Sequence, residues 1–198
     1  HSTITFLKVS TAFNVEQCDG IPADKIPAPV ENEIGSIAEL DEILNNWKTK
    51  PEVTFGGDRA CYSPIYDNIK MPNKDTFKST HLFYKTLSHE YGHSTGAKSR
   101  LNREGVANFD RFGSHQYAKE ELVAEMFASF MLGVAGLEAE THKNSVAYIQ
   151  SWIQKLQNDS KMIMDASKEA QKAVDYVLNG GSETIEEVEV IEEEAETV

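Results

Sequence analysis

The chain has 198 residues, of which 40% are hydrophobic and 26% are charged, proportions typical of a globular protein with room for one sizeable core. It contains no run of 18 apolar residues, which excludes a membrane-spanning helix, and we expect no membrane partner. The net charge is -13, and eight of these excess negative charges are glutamates within residues 182–198. Residues 1–181 carry the other five and lack the clustered Lys and Arg that phosphate binding needs, which argues against nucleic-acid binding by this chain alone.

The same counts predict how the chain is organised. We expect one domain over residues 1–181, followed by an acidic tail or linker at residues 182–198. Because the chain begins with His1 rather than Met and shows no signal peptide, we expect a fragment or a processed form with a segment missing upstream. Cys18 and Cys61 have no second Cys or His at ligand spacing, which predicts free, partly buried thiols in a reducing, cytoplasmic compartment.

The first elements can be predicted from residue type and periodicity. β-branched and aromatic residues over 4–15 predict a strand, and the three prolines within 17–29 predict a loop. Ser36 and Glu39 have the spacing of a capping box, which predicts the start of an amphipathic helix that reaches Trp47.

The remaining elements alternate between short strands and longer helices. Tight turns and a period of two predict strands over 53–55, 59–63 and 68–71. Apolar residues at helical spacing predict helices over 80–95, 115–132, 148–156 and 163–177, the last of which stops at Asn179-Gly180-Gly181. We therefore predict an α+β fold, in which a small mixed sheet packs on one helix and further helices cover it.

The helix predicted over 80–95 carries the pattern His89-Glu90-x-x-His93. A spacing of four residues puts both imidazoles on one helix face, where they can bind one zinc ion. Glu90 lies one position round the helix, close enough to take a proton from a water at the metal. Two imidazoles and a carboxylate buried side by side without a metal would be costly, so zinc is the favoured interpretation.

A catalytic zinc site needs a third protein ligand, and the candidates lie downstream. They are His115, Glu120, Glu121, Glu125 and His142. The two histidines fall in irregular or capping positions, and Glu120 lies about 100° round the helix from Glu121. Glu121 is the favoured ligand and Glu125 the alternative. One turn beyond Glu121, Glu125 could instead hydrogen-bond the free ring nitrogen of a histidine ligand.

Five short blocks of the sequence occur together in one known family. They are 13–20 (FNVEQCDG), 57–60 (GDRA), 89–101 (HEYGHSTGAKSRL), 112–113 (FG) and 117–125 (YAKEELVAE). On these blocks the chain resembles the zincin domain of ArdC-type antirestriction proteins, which is gluzincin-like and similar to ImmA/IrrE-type peptidases. The pattern Glu-x-x-Ala-x-x-Phe-Ala over residues 121–128 matches those peptidases, and this match implies Glu121 as the zinc ligand.

The resemblance implies a zinc metallopeptidase that acts on a polypeptide substrate, with Glu90 as the general base. Tyr117, one turn before Glu121, could donate to the oxyanion, although packing is the more common role of such a tyrosine. The strand near 59–63 could bind an extended substrate by edge pairing, although an ordinary sheet strand is more common. Family members carry a single-strand DNA-binding domain at the N-terminus, and we expect no such domain within these 198 residues. The competing hypothesis is a non-catalytic, zinc-stabilised acidic module that inhibits a DNA-handling enzyme.

Overall fold

The structure, a computed structural model, describes residues 19–22, 25, 33–107, 115–137 and 160–182. The chain divides into two compact units, residues 1–31 and residues 32–198, and all elements named below belong to the second unit. The strand predicted over 4–15, the helix predicted over 148–156, most of the loop predicted over 17–29 and the acidic tail beyond Ser182 lie outside the described residues. The predicted domain boundary after residue 181 stays a prediction.

The second unit combines three strands with five helices among its described residues. In chain order these are α1 (Ala38–Asn46), β1 (Glu52–Phe55), β2 (Cys61–Ser63), β3 (Asn68–Met71), a 3-10 turn (Lys74–Thr76), α2 (Thr80–Thr95), α3 (Glu104–Ala107), α4 (His115–Val134) and α5 (Ser160–Leu178). The predicted α+β class is therefore confirmed. No helix in these described ranges is both long enough and apolar enough to cross a membrane.

The sheet is small and mixed, with the strand order β1-β3-β2. β1 is parallel to the central strand β3, with Val53 opposite Ile69. β2 is antiparallel to β3, with Tyr62 opposite Ile69. β2 is consequently an edge strand, and only one of its two sides pairs with β3.

Helix α1 forms where its apolar stripe predicts it, but the predicted capping box is wrong. The helix begins at Ala38, its N-cap residue is Ile37, and no side chain caps it. Ile37 is buried, and its backbone N–H donates to Tyr84 Oη at 3.3 Å, so a tertiary contact fixes the start of the helix. A local cap is therefore not required.

Helix α2 occupies the centre of the core, between the sheet and α4. It begins after Ser79, whose Oγ accepts a hydrogen bond from the N–H of Leu82 at 3.3 Å, and it ends at Gly96. A Cβ added at Gly92 would lie 3.0 Å from the Cα of Ala124, so the glycine allows α2 and α4 to approach closely. This close approach brings the polar faces of the two helices together.

The last described helix, α5, closes the core behind α4. Its alanine and valine stripe, predicted from periodicity, is buried at Ala166, Ala170, Ala173, Val174 and Val177. The helix stops before two glycines with positive φ, 69° at Gly180 and 87° at Gly181, as the sequence predicts.

Candidate metal centre and active-site cleft

Helices α2 and α4 bring three potential metal ligands together. His89 and His93 come from α2, Glu121 comes from α4, and one ligand atom from each residue lies within 4.8 Å of the other two. The Nε2 atoms of His89 and His93 are 3.1 Å apart. The Glu121 carboxylate oxygens lie 3.7 Å from Nε2 of His89 and 3.6 Å from Nε2 of His93.

These separations fit a small tetrahedral ion. Donors bound at about 2.1 Å in tetrahedral geometry lie about 3.4 Å apart, close to the three distances found here. The chemistry of the donors fits as well, because two imidazole nitrogens and one carboxylate oxygen form a common catalytic zinc set. The three residues are therefore a suitable site for zinc.

The other ring nitrogen of each histidine contacts a second glutamate of α4. Nδ1 of His93 lies 3.3 Å from Glu120 Oε1, and Nδ1 of His89 lies 3.5 Å from Glu125 Oε2. When Nδ1–H donates to a carboxylate, Nε2 carries no proton and has a free lone pair. This is the tautomer that binds a metal through Nε2. Two lone pairs 3.1 Å apart repel each other unless a cation or a proton lies between them.

A buried arginine and a partly buried lysine balance the charges of these two carboxylates. Arg103 donates from Nε to Glu120 Oε2 at 3.0 Å and from Nη2 to Glu120 Oε1 at 2.7 Å. Lys85 Nζ lies 2.8 Å from Glu125 Oε1. Burial alone would raise the pKa of each carboxyl, but Arg103 and His93 lower the pKa of Glu120, and His89 and Lys85 lower that of Glu125.

The protonation of His93 reflects the same surroundings. Burial alone would lower the pKa of His93, whereas the hydrogen bond and charge of Glu120, followed by the charges of Glu121 and Glu90, raise it. The imidazole therefore lies in a strongly anionic environment, which is also favourable for a divalent cation.

Glu90 lies beside the three ligands and contacts the edge strand. Its Oε2 accepts a hydrogen bond from the backbone N–H of Tyr62 at 2.8 Å. Residues 56–62 form part of the wall of a cleft of about 870 Å³, which Glu90, the three candidate ligands and Tyr117 also line. The proposed base and the proposed ligands thus face the same open space.

Tyr117 also lines this cleft, at the first turn of α4. Burial raises the pKa of Tyr117, as do the charge of Glu121, a hydrogen bond to Glu121 and the charge of Glu90. The hydroxyl is thus a neutral donor beside the ligand cluster.

Four other residues named in the sequence analysis have different outcomes. His115 is exposed and lies outside the ligand cluster, and His142 lies outside the described residues. The free thiol of Cys61 is confirmed, but it is exposed rather than partly buried, because Cys61 lies opposite the exposed Lys70 of β3 and shares its sheet face. Cys18 lies outside the described residues.

Sequence reasoning missed two residues that support the site, Glu120 and Arg103. Glu120 was considered only as a ligand and set aside, yet its carboxylate contacts the outer nitrogen of His93. Arg103 lies in the irregular stretch after α2, where periodicity carries no information. The available signal was a buried glutamate beside Glu121, which requires a cation partner somewhere in the chain.

Three protein relatives are similar over most of this chain. Two are named DNA primase TraC and come from Escherichia coli, at 36% identity over 85% of this chain and 38% over 90%. The third is a Sinorhizobium fredii protein, y4eC, at 31% identity over 87% of this chain. The chain spans 11%, 16% and 54% of the lengths of these relatives, respectively.

Two crystal structures of a plasmid antirestriction protein, ArdC, share the fold. The Mn(II)-bound structure is 35% identical with a TM-score of 0.59, covering 86% of this chain and 61% of ArdC. The metal-free structure is 36% identical with a TM-score of 0.57, covering 85% and 59%. The predicted likeness to ArdC-type proteins is therefore confirmed.

A family model described as zincin-like metallopeptidase matches residues 38–169, two thirds of the chain. The match covers the helix with both histidines and the helix with all three glutamates of the candidate site. It agrees with the zinc cofactor expected from the sequence and with the His–His–Glu cluster. This chain belongs to the zincin-like metallopeptidase family.

Proposed function

We propose that this domain is a zinc metallopeptidase that hydrolyses peptide bonds of a polypeptide substrate. The observation that carries the proposal is that a His–His–Glu cluster and a neighbouring glutamate line one open cleft. A structural zinc site would normally be closed by four protein ligands and rich in Cys, whereas this one has three ligands and faces a cleft.

In the proposed site His89, His93 and Glu121 would hold the metal. Glu120 and Glu125 would orient the two histidines, because each contacts an outer ring nitrogen. When bound, zinc supplies Lewis-acid activation of a water molecule and of the scissile carbonyl. The Mn(II) of the ArdC structure makes manganese the second metal to test.

Glu90 is the proposed general base. Its carboxylate would take a proton from the attacking water and pass it to the leaving amine as the peptide bond breaks. Because the Tyr62 N–H holds Oε2 at 2.8 Å, we assign the proton transfer to Oε1. Tyr117, a protonated phenol beside Glu121, would donate a hydrogen bond to the oxyanion that forms.

The proposed substrate is a polypeptide in an extended conformation. The cleft of about 870 Å³ is lined by residues 56–62, which include part of the edge strand β2, and an extended chain can lie along this segment. By likeness to ArdC, we further propose that the peptidase is part of an antirestriction-type protein. The primase relatives contain this region as 11% and 16% of their length, so we assign no primase activity to it.

The decisive test is Glu90→Gln, compared with wild type and with Glu39→Gln as a control. Glu39 is an exposed glutamate in the first turn of α1, so its change removes one charge outside the cleft. After reconstitution with zinc or manganese, Glu90→Gln should keep its metal content and melting temperature. Its peptide cleavage should fall by about 10²- to 10⁴-fold, the usual contribution of a general base, while Glu39→Gln cleaves like wild type.

The same variant separates the peptidase from an acidic binding module. A non-catalytic inhibitor of a DNA-handling enzyme would keep its antirestriction activity in Glu90→Gln, because one charge changes little on a chain of net charge -13. If wild type cleaves no peptide with either metal and Glu90→Gln still protects DNA, the peptidase proposal is wrong.

A further inference from the structure

A second polar cluster lies at the end of the cleft wall, outside the proposed metal site. We call it the Arg100 clamp, and it consists of Arg100, Asp67 and Tyr62. Arg100 donates from Nη1 to Asp67 Oδ1 at 2.7 Å and from Nη2 to Asp67 Oδ2 at 2.9 Å. Tyr62 Oη donates to the same Asp67 Oδ1 at 2.8 Å. One carboxylate thus accepts three hydrogen bonds from two side chains.

Arg100 connects this carboxylate to two other parts of the fold. Its Nε and Nη2 donate to the carbonyl oxygen of Thr49, at 2.9 and 2.7 Å, and its Nη1 donates to the carbonyl oxygen of Ser94 at 3.1 Å. Ser94 directly follows His93 on α2. With a side chain only 3% exposed, Arg100 fixes the β2–β3 turn against the C-terminal end of α2.

Asp67 is held in an uncommon backbone conformation within that turn. Its φ is 47°, in the left-handed region that Asp tolerates better than most residues but still at some cost. Burial alone would raise the pKa of Asp67, but the hydrogen bonds from Arg100 and Tyr62 lower it. The ionised carboxylate is therefore the form that the turn holds.

Tyr62 joins the clamp to the cleft. Its side chain donates to Asp67, and its backbone N–H donates to Glu90 Oε2 at 2.8 Å. Because this N–H donates to a side chain of α2, it points away from β3, as alternate N–H groups of an antiparallel edge strand do.

We propose that the Arg100 clamp is a positioning device for Glu90. By fixing Tyr62 from its side chain, the clamp holds the backbone N–H of that residue on one carboxylate oxygen of Glu90. Arg100 and Asp67 are then positioning residues that act through Tyr62, without touching the substrate. The catalytic meaning of the device rests on the proposed peptidase function, but the contact between Tyr62 and Glu90 can be tested without any activity.

The test measures amide hydrogen exchange at residue 62 by NMR in the full chain. Tyr62→Phe removes one hydroxyl, and Asp67→Asn removes one charge, so both changes are small in volume. Tyr66→Phe is the matched control, because Tyr66 lies in the same turn and is 78% exposed. Glu90→Ala removes the acceptor and defines the exchange rate of the unbonded amide.

Residue 62 should exchange slowly in wild type and in Tyr66→Phe, and fastest in Glu90→Ala. Tyr62→Phe and Asp67→Asn should each accelerate its exchange by about 3- to 10-fold, the effect expected from loss of one supporting hydrogen bond. With a peptide substrate, kcat should fall in both variants while KM stays constant, because only the orientation of the base changes.

Two exchange results would overturn the proposal. One is exchange at residue 62 that is unchanged in Tyr62→Phe and Asp67→Asn even though melting temperatures fall, which would make the clamp a purely structural contact. The other is wild-type exchange as fast as that of Glu90→Ala. A rise in KM alone would also reject the role in positioning Glu90. Absence of peptide cleavage in wild type would refute the proposed function but leave the exchange result valid.

Discussion

The buried pair of Arg103 and Glu120 should contribute strongly to stability, and Arg103→Met tests this directly. The arginine makes four hydrogen bonds: two to the Glu120 carboxylate, one to Thr95 Oγ1 at 2.7 Å and one to the Gly92 carbonyl at 2.7 Å. The side chains of Arg103 and Glu120 are only 6% and 8% exposed, so water cannot replace the lost partner. Methionine keeps most of the apolar volume of the arginine stem and removes only its charge and donors.

The expected loss is about 3–5 kcal/mol, the usual effect of leaving one member of a buried ion pair without its partner. For a chain of this size about 1 kcal/mol corresponds to about 2–4 °C, so the melting temperature should fall by about 6–20 °C. Loss of the cation should also raise the pKa of Glu120, because burial is then opposed only by the hydrogen bond and charge of His93. The protonated carboxyl would be a poorer acceptor for His93, and metal affinity should fall.

The assay is thermal and urea unfolding in excess chelator, so that metal binding does not contribute to the measured stability. Arg59→Met is the control, because the Arg59 side chain is 87% exposed and pairs with Asp58 at 3.8 Å, which is itself 92% exposed. It should change stability by no more than about 0.5 kcal/mol. The double variant Arg103→Met/Glu120→Gln should regain a large part of the loss, since neither buried charge is then present. A cost below about 1 kcal/mol for Arg103→Met, or strictly additive effects in the double variant, would refute the reasoning.

Three further predictions concern helix packing, metal binding and pH. Gly92→Ala should destabilise the protein in urea by about 1 kcal/mol, because overpacking against α4 costs about 1–3 kcal/mol and helix propensity returns about 0.5–1; a stabilised variant would contradict the close approach. Glu120→Gln and Glu125→Gln should each weaken zinc binding by about 10- to 100-fold in chelator competition, and Glu121→Ala should weaken it by far more. If the Glu125 variant were the one that loses its zinc, Glu125 rather than Glu121 would be the ligand. Because the pKa of Asp67 is lowered, its ionised form stabilises the fold above about pH 4, and this contribution disappears as the pH falls through the lowered pKa. Asp67→Asn should therefore melt below wild type at pH 7, with a difference that shrinks in acid; a constant difference would contradict the assignment.

The central helix of the site could be predicted because its signal is local. The spacing of His89 and His93 and the glycine after the helix are properties of one short segment, and α2 spans Thr80–Thr95 as expected. The N-terminal start of α1 could not be predicted in this way, because burial of Ile37 and its contact with Tyr84 replace the capping box. Contacts between distant segments decide such details, and a single sequence does not encode them in its periodicity.

The three glutamates of α4 show why the candidate site could be predicted only in part. Glu120, Glu121 and Glu125 are all buried, so each carboxylate needs a compensating cation. Position on the helix alone favours Glu121 and Glu125 as one face and sets Glu120 aside.

The fold distinguishes the three carboxylates by the groups that they meet. Glu120 contacts Arg103 and Glu125 contacts Lys85, so cations of the protein balance these two charges. One oxygen of each carboxylate also contacts the Nδ1 atom of a histidine. Glu121 instead faces the inner nitrogens of both histidines. Arg103 lies just before α3, in the connection that follows α2, and Lys85 lies one turn before His89, so neither partner is visible from the sequence of α4. The division between the proposed ligand and the two carboxylates proposed to support it therefore depends on how α2 and its C-terminal connection pack on α4.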